Sequence, residues 1–180
     1  MQKNAVAVFG GRHPRPGDSE YEEARKLGRL LAEAGYAVMN GGYIGIMEAV
    51  SRGAREAGGH AIGVTMEIFG DMAPNPFLTQ EIRTRDFFER LHVLISGAQA
   101  FIVFRGGMGT VTELSLAWNM LQTSVMPPKP LILVGEFWHA VLDTLSENLV
   151  IPPTDVNLRI VVPSAEEAVR HLRERSAPLL

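Results

Sequence analysis

The sequence predicts an α/β fold, a doubly wound, mostly parallel sheet flanked by helices in one Rossmann-like domain over residues 1–180. Three observations carry this. Short apolar runs recur along the chain and are continuous rather than alternating, as strands buried on both faces of a parallel sheet require. Segments with apolar residues at three- or four-residue spacing separate them. Three of the runs end in turns bearing adjacent glycines.

Taken in order, AVAVF (5–9) is the first strand, and Tyr21, Ala24, Leu27, Leu31 and Ala34 mark the first helix. YAVMN (36–40) and HAIGVT (60–65) follow as strands. The stretch 66–79, containing FGDMAPNPF, predicts a loop from its prolines and glycine, and its length makes it a candidate lid. A helix is expected over about 84–97, with Phe87, Leu91 and Leu94 on one apolar face, widened by Phe88 and Ile95 and flanked by Glu89 and Arg90. AFIVF (100–104) leads to a helix beginning near Gly109, and PLILVG (130–135) and RIVV (159–162) complete the strands. Ser164-x-x-Glu167 reads as a capping box opening the last helix.

With 46% hydrophobic and 21% charged residues, the composition is that of a globular protein. A formal charge of −3 gives no electrostatic footprint for nucleic acid, so no nucleic-acid partner is expected. With no cysteine, disulfides, thiol nucleophiles and cysteine metal sites are excluded. No run approaches the ~18 apolar residues of a membrane span, and the start MQKNAVAVFGG lacks the form of a signal peptide; a cytoplasmic protein without a membrane partner is expected.

Ligands of open α/β sheets lie beyond the carboxyl ends of the strands. The glycine turns fall there: FGGRH (9–13) with Gly10 and Gly11, NGGYIG (40–45) with Gly41 and Gly42, and FRGGMG (104–109) with Gly106, Gly107 and Gly109. Any one of them could be turn geometry alone; three point to a common ligand mouth. In the third, adjacent glycines let backbone N–H groups approach an anion at the positive end of a helix. It is neither a Walker A loop, lacking Gly-Lys-Ser/Thr, nor G-x-G-x-x-G. Glu113 has two readings. Thr110-x-x-Glu113 fits a capping box, and a carboxylate one turn into the helix also faces a bound ligand.

The motifs together resemble the LOG ("Lonely guy") family of cytokinin riboside 5′-monophosphate phosphoribohydrolases, often mislabelled as lysine decarboxylases. The family's PGGxGTxxE is matched by RGGMGTVTE (105–113), and its arginine, fifteen residues before the signature proline, by Arg90. GGYIGIMEAV (41–50), GGHAIGVT (58–65) and KPLILV (129–134) resemble further family segments. The resemblance implies Arg90 and Glu113 as catalytic pair, Gly106, Gly107, Gly109 and Thr110 as phosphate cradle, and Asn119 near the substrate. In the departures, Arg105 replaces the signature proline, Leu91 the lysine after the catalytic arginine, Phe87-Phe88 a Met-His pair, and Tyr43 a third glycine. Loss of that lysine removes a cation, which Arg105 restores if its side chain turns toward the mouth.

The activity implied is hydrolysis of the N-glycosidic bond of a purine nucleoside 5′-monophosphate, AMP or an N6-substituted AMP, to free base and ribose 5-phosphate. No metal or organic cofactor is implied. The alternative is a non-catalytic nucleotide- or phosphorylated-cofactor-binding protein of the same fold. Lysine decarboxylation needs a buried Schiff-base lysine, and Lys3, Lys26 and Lys129, the three lysines, are poorly placed for one. Apolar residues spread round the helix ELSLAWNMLQTSVM (113–126), together with the resemblance, predict a homodimer with Trp118 or Met120 at the contact.

Overall fold

The computed structural model describes residues 4–69 and 72–176. Strand β1 (Ala5–Phe9) is buried throughout, and its side chains divide between two cores. Val6 and Val8 enter one; Ala5, Ala7 and Phe9 enter the other. The two-residue repeat of a strand forces this division, and a strand covered on both faces needs apolar residues at every position. Strands β5 (Ala100–Val103) and β6 (Leu131–Val134) divide in the same way. With β2 (Ala37–Asn40), β3 (Ala61–Met66), β4 (Gln80–Thr84) and β7 (Ile160–Val162) they form one sheet, ordered β4-β3-β2-β1-β5-β6-β7. Every neighbouring pair is parallel.

Helices α1 (Ser19–Glu33), α2 (Ile46–Glu56) and α7 (Ala165–Ser176) cover one face. Helices α3 (Phe87–Gly97), α4 (Met108–Gln122) and α5 (Phe137–Asn148) cover the other, and α6 (Pro153–Val156) is a single turn before β7. The expected doubly wound sheet is therefore observed. In α1, Tyr21, Ala24, Leu27 and Leu31 are buried as their spacing predicts. At the start of α7, Ser164 Oγ accepts from the Glu167 N–H at 3.4 Å, the first half of the expected box.

Three local expectations are corrected. The sequence shows no apolar run at β4, because this edge strand exposes Gln80, Glu81 and Arg83 and buries only Thr84 fully. Edge strands carry polar residues that discourage further pairing. Helix α3 consequently begins at Phe87, after β4 has ended at Thr84. Phe87 and Phe88, expected on its apolar face, are 39% and 81% exposed, since the first turn overhangs the end of the sheet. The irregular region holds a short 3-10 turn, Glu67–Phe69, and Gly70 and Asp71 lie outside the described residues.

Strand order reverses between β1 and β5: β1 leads to β2 on one side, while β5 returns to its other edge. The crevice beyond the carboxyl ends of such a pair is where this architecture holds ligands.

Candidate active site

The loops after β1 and β5 are fastened together at that crevice. The Gly11 N–H donates to the Arg105 carbonyl at 2.9 Å, and the Gly11 carbonyl accepts from Ile46 N–H, also at 2.9 Å. The turn after β2 is braced from within, Asn40 Oδ1 accepting from the Gly42 N–H at 2.8 Å. Asn75, buried in the expected loop, donates from its backbone to the Gly42 carbonyl and from its side chain to the Tyr43 carbonyl. This fixes the loop over the β2 turn and brings Met72 to the mouth.

A cavity of about 360 Å³ lies between these segments. Gly10 and Gly11 border it from β1, with Arg12 and His13; Tyr43, Ile44 and Met47 border it from the β2 turn and α2. Phe87 and Arg90 reach it from α3, and Gly107, Met108, Gly109, Thr110 and Glu113 from α4.

Arg90 and Glu113 are each 8% exposed. Arg90 Nη1 stands 3.6 Å from Glu113 Oε1, and Arg90 Nε donates to the Val64 carbonyl at 2.8 Å. Gly41 shapes this pair without lining the cavity, because a Cβ there would lie 1.9 Å from Arg90 Nη2. Burial pushes the Glu113 carboxyl up to about 7, with the Arg90 charge opposing the shift. Glu113 is therefore poised to exchange a proton near neutral pH.

The capping reading of Glu113 is not what the structure shows. Gly107 is the N-cap of α4 and no side chain caps the helix. Thr110 and Glu113 lie inside it, and the Glu113 carboxylate meets Arg90 instead of a backbone N–H. The first-turn N–H groups of α4 thus border the cavity without intrahelical acceptors, beside the positive end of the helix dipole. At Gly106 a Cβ would sit 2.1 Å from Thr110 Oγ1, so glycine lets the loop turn tightly into the helix; nothing lies within 4 Å of one at Gly107 or Gly109. Gly42, with φ of 83°, completes the β2 turn from behind the cavity wall.

Gly106, like Gly41 and Gly42, does not line the cavity, and two further predicted placements fail. Asn119 is exposed about three turns along α4 and does not line the cavity. Arg105 does not restore a cation at the mouth. Its guanidinium lies 5.6 Å above the Phe137 ring and 3.9 Å from Glu20, in a separate cleft, while Leu91 is buried. Arg12, His13, Met47 and Met72 are site residues that were not singled out, and Tyr43 was marked only as a replaced glycine; Arg12 and Tyr43 stand directly after glycine pairs, and that adjacency was the available signal.

A family model described as possible lysine decarboxylase matches residues 47–172. A cytokinin riboside 5′-monophosphate phosphoribohydrolase of Mycobacterium tuberculosis is 31% identical over 175 residues, 92% of this chain and 91% of that protein. The chain belongs to the LOG family. A pyrimidine/purine nucleotide 5′-monophosphate nucleosidase of Escherichia coli is also 31% identical; 98% of the LOG chain aligns, but it spans only 41% of that longer protein. A molybdenum cofactor binding protein from Rippkaea orientalis shares the fold, with a TM-score of 0.77 and 23% identity over 98% of this chain and 99% of its own. Among the described residues no lysine lines the cavity, so the lysine chemistry in the family description finds no seat there. Lys26 pairs with Glu166, Lys129 donates to the Ile95 and Ala98 carbonyls, and Lys3 lies outside the described residues.

Proposed function

We propose that the protein hydrolyses the N-glycosidic bond of a purine nucleoside 5′-monophosphate, AMP or an N6-substituted AMP. The observation that carries this is the buried Arg90–Glu113 pair in one cavity with the uncapped N-terminus of α4. The activities named for the relatives from Mycobacterium tuberculosis and Escherichia coli support it.

In this reading the 5′-phosphate rests on the N–H groups from Gly107 to Thr110, and that remote contact orients the ribose. The base lies against the apolar wall of Tyr43, Met47, Met72 and Phe87. As the C1′–N bond breaks, its electron pair leaves with the base and positive charge develops on the ribose ring. Glu113, ionised, stabilises that charge and accepts the proton of the attacking water, whose oxygen joins C1′. Arg90 holds the substrate and balances the charge growing on the leaving base. The proton held by Glu113 then passes to the departing base, which restores the carboxylate; the products are free base and ribose 5-phosphate, and water supplies all the atoms added.

A homodimer and a cytoplasmic setting are parts of the same proposal. Trp118 is engaged within the chain, its Nε1 donating to the Asp155 carbonyl at 2.9 Å with the Arg159 guanidinium 4.4 Å above its ring. The larger exposed apolar groups at the site end of the sheet are Phe88, Met108 and Ile68, 81%, 77% and 77% exposed, and these we assign to the dimer contact. No described helix is long and apolar enough to cross a membrane.

The test is product analysis after incubation with AMP and N6-substituted AMP. Free base with ribose 5-phosphate is expected, and adenosine, lacking the phosphate, should be a very poor substrate. Nucleotides bound but returned intact would support the non-catalytic alternative instead, and equal kcat/KM for adenosine and AMP would remove the phosphate cradle.

A further inference from the structure

We propose that Arg12 is the charge partner of the substrate phosphate, a binding residue supplied by the β1 loop in place of the cation that α3 lacks. The inference rests on the nucleotide reading above.

The first support is how the loop is built. Gly11 is tied to Arg105 and Ile46 through its own N–H and carbonyl, and a Cβ at Gly45 would lie 2.6 Å from Arg12 Cα. The Arg12 backbone is therefore pinned between the α2 turn and the glycine loop that precedes α4. Arg15, the other arginine of the loop, is engaged in bracing it: its Nη1 donates to the Arg12 carbonyl at 2.9 Å, and its backbone N–H to Asp18 Oδ2 at 2.7 Å.

The second support is the state of the charges. Among the described residues the Arg12 guanidinium has no hydrogen bond, ion pair or ring contact, although Arg12 lines the cavity. Arg90 is already set against Glu113 and the Val64 carbonyl, and Arg105 is turned into another cleft. A phosphate arriving at α4 thus finds one uncommitted guanidinium at the cavity. Arginine suits that role, since its planar fork offers two parallel N–H donors to phosphate oxygens. On α3 the residue after Arg90 is Leu91, which is buried and offers no charge.

The experiment is calorimetric titration of ribose 5-phosphate and of AMP into wild type, Arg12→Gln, Arg12→Lys and Arg105→Gln. The last removes the same charge from the neighbouring cleft and controls for the general field of the protein. Arg12→Gln should weaken both ligands by about 10- to 100-fold, the scale of charge-assisted hydrogen bonds, and Arg12→Lys by less. Arg105→Gln should bind as wild type, and thermal unfolding should show all variants folded. In turnover the loss should appear in KM for AMP, with kcat within a few-fold. Binding by Arg12→Gln within twofold of wild type overturns the inference, as does an equal loss in Arg105→Gln. Base release from AMP with no Arg12 dependence would leave the nucleosidase reading standing and sink this one. Arg12-dependent binding of AMP without base release would do the reverse, and no ribose 5-phosphate binding by wild type sinks both.

Discussion

Replacing Glu113 by glutamine should make the protein more stable and nearly inactive, and both changes follow from where the carboxylate sits. Burial raises its pKa from 4.5 to about 7 even with Arg90 beside it. The folded state therefore binds a proton more tightly than the unfolded chain, and stability is lost as pH rises from 4.5 through 7. At ~1.36 kcal/mol for each pKa unit, the ionised group destabilises the fold by roughly 3 kcal/mol above pH 8. Glutamine keeps the shape without the charge and relieves that penalty. For a domain of this size the gain is about 6–12 °C in Tm at pH 8, shrinking toward zero near pH 4.5. Activity on AMP should fall at least ~100-fold, about 2.7 kcal/mol of transition-state stabilisation. Paired melting curves at the two pH values and a base-release assay measure both. A variant no more stable than wild type at pH 8, or a difference that does not change with pH, refutes the burial argument; retained turnover refutes the catalytic one.

Three further outcomes are expected. In wild type, kcat/KM should rise with pH through about 7 as Glu113 ionises, and a flat profile would separate Glu113 from proton transfer. Gly41→Ala would place a methyl group 1.9 Å from Arg90 Nη2, so the guanidinium must shift; kcat/KM should drop by ~10-fold or more with the fold intact, and unchanged activity would show that the position of Arg90 is not critical. Light scattering should give a particle near twice 19.7 kDa, and a monomer at micromolar concentration would leave Phe88 and Met108 to be explained within one chain.

What was legible in the sequence follows the physics of each element. Six strands announced themselves because a strand covered on both faces has no room for polar side chains, as in LILV of β6. QEIRT of β4 did not, since an edge strand is selected for polarity and leaves no periodic signature. The glycine signature and Glu113 were visible as a local motif. Arg90 was visible only through its distance from that motif, because nothing in FFERL itself separates a buried arginine from a solvated one. Arg12, Met47 and Met72 were not singled out, as their neighbourhood is created by strand order, which brings the β1 and β2 loops beside α4. The same limit misled the reading of Phe87 and Phe88. Helical spacing tells which side of a helix is apolar but not how far the helix overhangs the sheet. It also could not show that Arg159 and Asp155, far along the chain, cover Trp118.

The strand order also governs how the molecule comes into being. Strand β1 lies at the centre of the sheet, yet along the chain it precedes every other strand. During synthesis its first edge is filled early by β2, whereas the second must wait until Ala100–Val103 has been made. Through that interval the nascent half-sheet carries an open apolar edge, a hazard for association with other chains. The arrival of β5 closes the edge and, in the same step, delivers the glycine loop and α4 to Gly11. Neither half of the chain contains the cavity alone. Two fragments divided between α3 and β5 would each be inert, and recovery of base release on mixing would report the docking of β5 onto β1.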